Sequence, residues 1–93
     1  MLTSHADVTT PDGARYLKRL CNHFAHKLPV ELNEDRGVLR FDFGTCRLLA
    51  DAQALHLEAE AADSEALARL QQVVVSHLDR FAWKEGQLPV AWR

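Results

Sequence analysis

The sequence predicts an α+β fold: a two-layer sandwich with two helices packed on one face of an antiparallel sheet of four to five strands. Three observations predict it. Two segments carry apolar residues at three- and four-residue spacing, the mark of a helix with one buried stripe. Between them, short segments alternate apolar and polar residues, the mark of strands with one buried face. The breaks between strands are short, which makes sequential hairpins the economical topology. The element order read this way is α-β-β-β-β-α-β, in one domain spanning residues 1–93.

The first ten residues read as a short strand around Asp7-Val8-Thr9 or as a frayed arm. Thr10-Pro11-Asp12 signals a helix start: Thr10 can cap, Pro11 suits the first helical position, and Asp12 favours the positive helix end. Leu17, Leu20, Cys21, Phe24 and Leu28 make its apolar stripe, and Pro29 stops it after Lys27 or Leu28. Val30 and Leu32 then alternate with Glu31 and Asn33. Glu34-Asp35-Arg36-Gly37 reads as a hairpin turn, with Gly37 available for a positive φ. Leu39, Phe41 and Phe43 alternate with Val38, Arg40 and Asp42, and Gly44-Thr45 turns the chain. Cys46, Leu48 and Ala50 face one way, Arg47 and Leu49 the other. After a turn at Asp51-Ala52-Gln53, Leu55, Leu57 and Ala59 alternate with His56, Glu58 and Glu60.

The second helix starts near Asp63-Ser64, where Asp63 and Glu65 give an acidic first turn. Leu67, Leu70, Val74, Leu78 and Phe81 form its inward stripe, and Gly86 is the expected stop. Leu88 to Arg93 reads as a final short strand at a sheet edge, where Pro89 removes one donor. Trp83 and Trp92 are expected to pin this tail onto the domain, the alternative being an apolar contact patch.

Composition narrows the function classes. A formal charge of −2 and a pI near 6.2 give no basic footprint of a nucleic-acid binder. No apolar run approaches the roughly 20 residues a membrane-spanning helix needs. Met1 to Asp7 lacks the basic-then-apolar pattern of a signal peptide, so a cytoplasmic location is expected. A chain of 93 residues supports one core layer, which argues against a deep internal active-site cavity. The two cysteines, Cys21 and Cys46, form no Cys-x-x-Cys pair and read as free buried thiols.

The first helix holds the most unusual run, Tyr16-Leu17-Lys18-Arg19-Leu20-Cys21-Asn22-His23-Phe24-Ala25-His26-Lys27. On a helical wheel Tyr16, His23 and Lys27 fall along one border of the stripe, while His26 falls on the solvent side, about 60° from His23. His77 lies between Val74 and Phe81 on the inward side of the second helix. A polar ring there costs about 1–3 kcal/mol unless it is hydrogen-bonded. It is therefore either a satisfied core histidine or a pocket residue. Its potential partners are Cys21, Cys46 and His23, a Cys/His set suited to a transition metal or to redox chemistry. Glu31, Glu34, Asp35, Asp51, Glu58 and Glu60 sit on turns or outward strand positions and read as a solvated face.

The order Arg15-Tyr16-Leu17-Lys18-Arg19-Leu20-Cys21, His23-Phe24-Ala25-His26-Lys27, Gly44-Thr45-Cys46, Val73-Val74, His77-Leu78, Arg80-Phe81 and a late Trp92 resembles the bacterial family called domain of unknown function 2218. The resemblance runs from about Ala6 to Arg93, with Lys84 standing where an arginine is expected. Such proteins stand alone or are joined to siderophore-interacting proteins, flavin-dependent reductases of ferric siderophores. The resemblance implies an accessory role in iron uptake, with such a reductase as partner, and carries over no catalytic residue.

Three functions remain open at this point. The first is a non-catalytic binding module that holds an iron–siderophore complex or docks on a reductase through Tyr16, His23, Lys27, His77 and Arg80; cations beside aromatics suit an anionic ferric chelate. The second is a metal-binding or redox protein using Cys21, Cys46, His23 and His77, with His26 as a further metal candidate. The third is an interaction module that homodimerises through a sheet edge or open sheet face, where Val38, Leu49 and Val75 are outward apolar residues. No cofactor is otherwise expected.

Overall fold

Eight residues with small inward side chains open the chain as a full strand. In a computed structural model, which describes residues 1–82 and 90–93, the elements are β1 (Leu2–Thr9), α1 (Gly13–Phe24), β2 (Val30–Leu32), β3 (Arg36–Phe41), β4 (Gly44–Ala50), β5 (Ala54–Ala61) and α2 (Ser64–Phe81). The five strands form one antiparallel sheet in the order β1-β5-β4-β3-β2. Both helices cover the same face, so the two-layer α+β architecture stands, but the order begins with a strand: β-α-β-β-β-β-α.

The first strand is longer than the short strand expected around Asp7–Thr9, and the alternative of a frayed arm falls away: it pairs with β5 over its whole length, from Leu2↔Ala61 to Thr9↔Ala54. Its inward residues are Ser4, Ala6 and Val8, too small to announce a core strand. The expected hairpins join β2 through β5. The connection from β1 is different: α1 carries the chain across the helical face to the far edge, where β2 begins.

Helix α1 buries Gly13, Tyr16, Leu17, Leu20, Cys21 and Phe24. These positions continue the 3-4 spacing one turn further toward the N-terminus than the large apolar residues indicate. Gly13 makes that possible, because a Cβ there would lie 2.9 Å from the Ala54 carbonyl oxygen. The close approach draws Tyr16 into the core at 1% exposure, which corrects its expected place on a surface border. Asp12, not Thr10, precedes the helix; Thr10 Oγ1 accepts a hydrogen bond from the Asp12 N–H (3.1 Å). The helix ends at Phe24, whose carbonyl then accepts from the N–H groups of Lys27 (2.9 Å) and Leu28 (2.9 Å) in a tighter turn before Pro29.

Two turn assignments shift. Gly37 is a buried strand residue of β3, not part of the turn, and a Cβ on it would stand 2.5 Å from Cys21 Sγ. The β3–β4 turn is Asp42-Phe43, closed by the Phe41↔Gly44 pair, so Phe43 leaves the strand and stacks half-buried under the Arg69 guanidinium at 4.3 Å. Helix α2 starts as expected: Asp63 accepts from the Ala66 N–H (2.8 Å), and Leu70, Val74 and Leu78 are buried.

Val90–Arg93 carries no strand ladder, but Arg93 exchanges both backbone hydrogen bonds with His5 (2.8 Å each) on the free edge of β1. Trp92 packs half-buried on the core. The expectations for Trp83, Lys84, Gly86, Leu88 and Pro89 lie outside the described residues. No helix of the described residues is long and apolar enough to cross a membrane.

Candidate functional site: the open face of the sheet

The residues singled out on the helices separate into three places. His23 and His77 meet where the last turns of α1 and α2 cross, with ring centroids 4.9 Å apart. Phe24 lies 4.8 Å from His77, and Phe81 lies 5.8 Å from His23. His77 is half-buried and donates from Nδ1 to the Val73 carbonyl (2.8 Å), one turn back on its own helix. His23 Nε2 is buried and finds no partner among the described residues. Burial pulls its pKa down, and the positive charges of His77, Lys27, Arg80 and His26 pull in the same direction. Lys27, Arg80 and His26 are exposed, whereas Tyr16 is inside the core. The border patch is thus reduced to His23, His77 and the cations around them.

The thiols do not join this cluster in a metal-binding arrangement. Among the described residues no three His, Cys, Asp or Glu side chains are placed to hold a metal ion together. Cys21 is buried beneath α1 against Gly37, and burial pushes its pKa up to about 11. Burial raises the Cys46 thiol to about 12, with a smaller push from Cys21. Such thiols stay protonated at neutral pH, a poor state for a nucleophile or a metal ligand.

Among the described residues no helix lies over the opposite face of the sheet. A groove of about 430 Å³ runs across it, lined by strand side chains from β1, β3, β4 and β5 together with Arg93. Strict alternation builds this face. Arg36 and Val38 of β3 and Arg47 and Leu49 of β4 point away from the helices. So do His56 and Glu58 of β5, and His5 and Asp7 of β1. Register then aligns them across the strands: Arg36↔Leu49, Leu49↔His56 and His56↔Asp7 form one row, and Val38↔Arg47, Arg47↔Glu58 and Glu58↔His5 form the next.

Ion pairs lace the face. Arg47 binds Glu58 (3.1 Å) and reaches Glu60 (3.7 Å), and His5 reaches Glu58 (3.7 Å). Arg40 pairs with Glu31 at the β2 side. His56 is held at both nitrogens, Nδ1 to Asp7 (2.6 Å) and Nε2 to Asp51 (2.8 Å). Carboxylates accept both bonds, so both ring nitrogens must donate, and the imidazolium is favoured. The bond to Asp7 and then that to Asp51 raise the His56 pKa, and the same bonds hold both carboxyls below their ordinary range. Arg93 completes the chain by donating to the second oxygen of Asp7 (2.9 Å).

Sequence reasoning missed His56 and Arg36. It assigned the carboxylates Glu31, Asp51, Glu58 and Glu60 to a solvated face, and each of them in fact holds a cation or an imidazole there. The available signal was the outward pair Val38 and Leu49: apolar side chains among charges on the face opposite α1 and α2.

Fold and site together define a small two-layer α+β protein with an ion-paired sheet face opposite its two helices. The chain belongs to a family described as "Uncharacterized protein conserved in bacteria (DUF2218)", whose model matches residues 5–93. It is similar in structure to PA4090 from Pseudomonas aeruginosa, solved by NMR, with a TM-score of 0.85 and 39% sequence identity; the match covers 100% of this chain and 96% of that one. No curated protein matches the chain.

Proposed function

We propose that the protein is a non-catalytic ligand-binding module whose ligand sits in the groove of the open sheet face, in the service of bacterial iron metabolism. One observation carries the reading: a groove of about 430 Å³, charged at its walls and apolar at Val38 and Leu49, on the sheet face that neither α1 nor α2 covers. That volume suits a small molecule, since ligand pockets run from about 300 to 1,000 Å³. The chemistry of the nearby groups favours binding over catalysis. His56 has no nitrogen left to act as a base while Asp7 and Asp51 hold it, and both thiols are kept protonated by burial. The iron link rests on the resemblance to proteins joined to siderophore reductases, and it makes a ferric siderophore the ligand to try first and such a reductase the partner.

Titration calorimetry with ferric catecholate and ferric hydroxamate chelates tests this. Saturable heat is expected with the native protein and with Lys27→Ala, and none with Leu49→Asp, which puts a charge on the groove floor. Absence of heat with both chelate classes at high micromolar protein counts against the reading, as does unchanged binding by Leu49→Asp.

A further inference from the structure

The charges of the groove are not all matched. Its two carboxylates already have partners: Asp7 holds His56 and Arg93, and Glu58 holds Arg47, with His5 Nδ1 3.7 Å away. Arg36 is different. It stands on the β3 wall, and no carboxylate of the described residues lies within ion-pair reach of it. Its cross-strand neighbour is Leu49, 38% exposed, and Val38 follows two residues along the same strand face.

We infer that the groove takes a small organic anion with an apolar body, its acid group held by Arg36 and its body laid on Leu49 and Val38. This rests on the open face being the binding surface. A guanidinium presents a planar fork of donors that matches a carboxylate, sulfonate or phosphate edge with two parallel hydrogen bonds. Neighbouring strands lie about 4.8 Å apart, so the row from Arg36 through Leu49 and His56 to Asp7 spans about 14 Å, room for one or two fused rings. A cationic ligand would meet only carboxylates that already face Arg47, His56 or Arg93. A peptide strand would need a sheet edge, since the backbone groups within this face are paired to neighbouring strands. A second copy would need a broader apolar surface than Val38 and Leu49 provide.

The test uses two dyes that share one skeleton and differ by one acid group: 8-anilinonaphthalene-1-sulfonate and N-phenyl-1-naphthylamine. Affinity is read by fluorescence titration, and location by backbone amide shifts. The sulfonate is expected to bind about ten-fold or more tighter than the neutral dye, the usual yield of a charge-assisted hydrogen bond. Arg36→Gln brings the sulfonate to the level of the neutral dye and leaves the neutral dye unchanged. Lys27→Gln, which removes one positive charge from the helical layer outside the groove, changes sulfonate binding by no more than about two-fold, as expected for a screened surface charge. Equal affinity for the two dyes, or full sulfonate binding by Arg36→Gln, overturns the ligand class while shifts at Val38, Leu49 and His56 keep the groove. Shifts elsewhere, or no binding of either dye, overturn the groove reading and the ligand class together.

Discussion

Gly37→Ala probes how tightly α1 is pressed onto the sheet. The added Cβ would stand 2.5 Å from Cys21 Sγ and 3.7 Å from Leu17 Cδ2. Both side chains are fully buried, so neither can swing into solvent. Overpacking of this kind costs about 1–3 kcal/mol. Alanine also restricts the unfolded chain, which offsets about 0.4–1 kcal/mol. The net expectation is a loss of up to about 2.6 kcal/mol, and each kcal/mol lowers the Tm of a domain this size by about 4–8 °C. The sharper expectation concerns the double variant. With Cys21→Ala the obstructing sulfur is gone, so Gly37→Ala should become neutral or stabilising in that background. Urea denaturation followed by circular dichroism gives the four stabilities of the cycle. If the two substitutions simply add, the helix does not press on Gly37 through Cys21, and the packing described for α1 is wrong.

Other expectations follow from the same geometry. Leu70→Ala, fully buried under α2, should lose about 2–5 kcal/mol, whereas Leu49→Ala on the open face should stay within about 0.5 kcal/mol of native in the same denaturation assay. His56 and His23 should titrate on opposite sides of the ordinary value of 6.5, His56 above and His23 below, as read from imidazole proton shifts. The raised His56 pKa adds stability that is full below 6.5 and disappears as pH rises through the folded value; His56→Asn should remove that alkaline loss. The lowered His23 pKa acts the other way, costing stability as pH falls below 6.5, and His23→Phe should remove that acid loss. A thiol reagent should label neither Cys21 nor Cys46 in the native protein and both in urea; rapid native labelling would show that the thiols are not sealed by the helical layer.

The architecture was legible because large apolar residues fall on one face of each long element: Leu17, Leu20 and Phe24 on α1, Leu70, Val74 and Leu78 on α2, Leu55 and Leu57 on β5. What failed depended on small residues. Ser4 and Ala6 are buried but carry no hydrophobic signal, so the sequence showed only a short strand around Val8 or a frayed arm. Gly13 has no side chain to mark the first buried position of α1, and Tyr16 was consequently read as a border residue. Of the candidate site residues, His23 and His77 do converge, which helical periodicity made possible but could not itself establish, because it does not fix how the two helices sit against each other. The groove was harder to see. Arg36, Leu49, His56 and Asp7 come from four strands, and only lateral register places them in a row. Alternation shows which face a residue takes, but not which residue stands beside it on the next strand.

The location of the ligand is the claim on which the functional account stands, and paramagnetic broadening reads it directly. High-spin iron in an anionic ferric catecholate should erase the amide signals of Val38, Leu49 and His56 at substoichiometric ratios, and leave those of His23, Lys27 and Arg80 sharp. Broadening confined to the helical layer, with the sheet face untouched, would move the binding surface to the other side of the molecule.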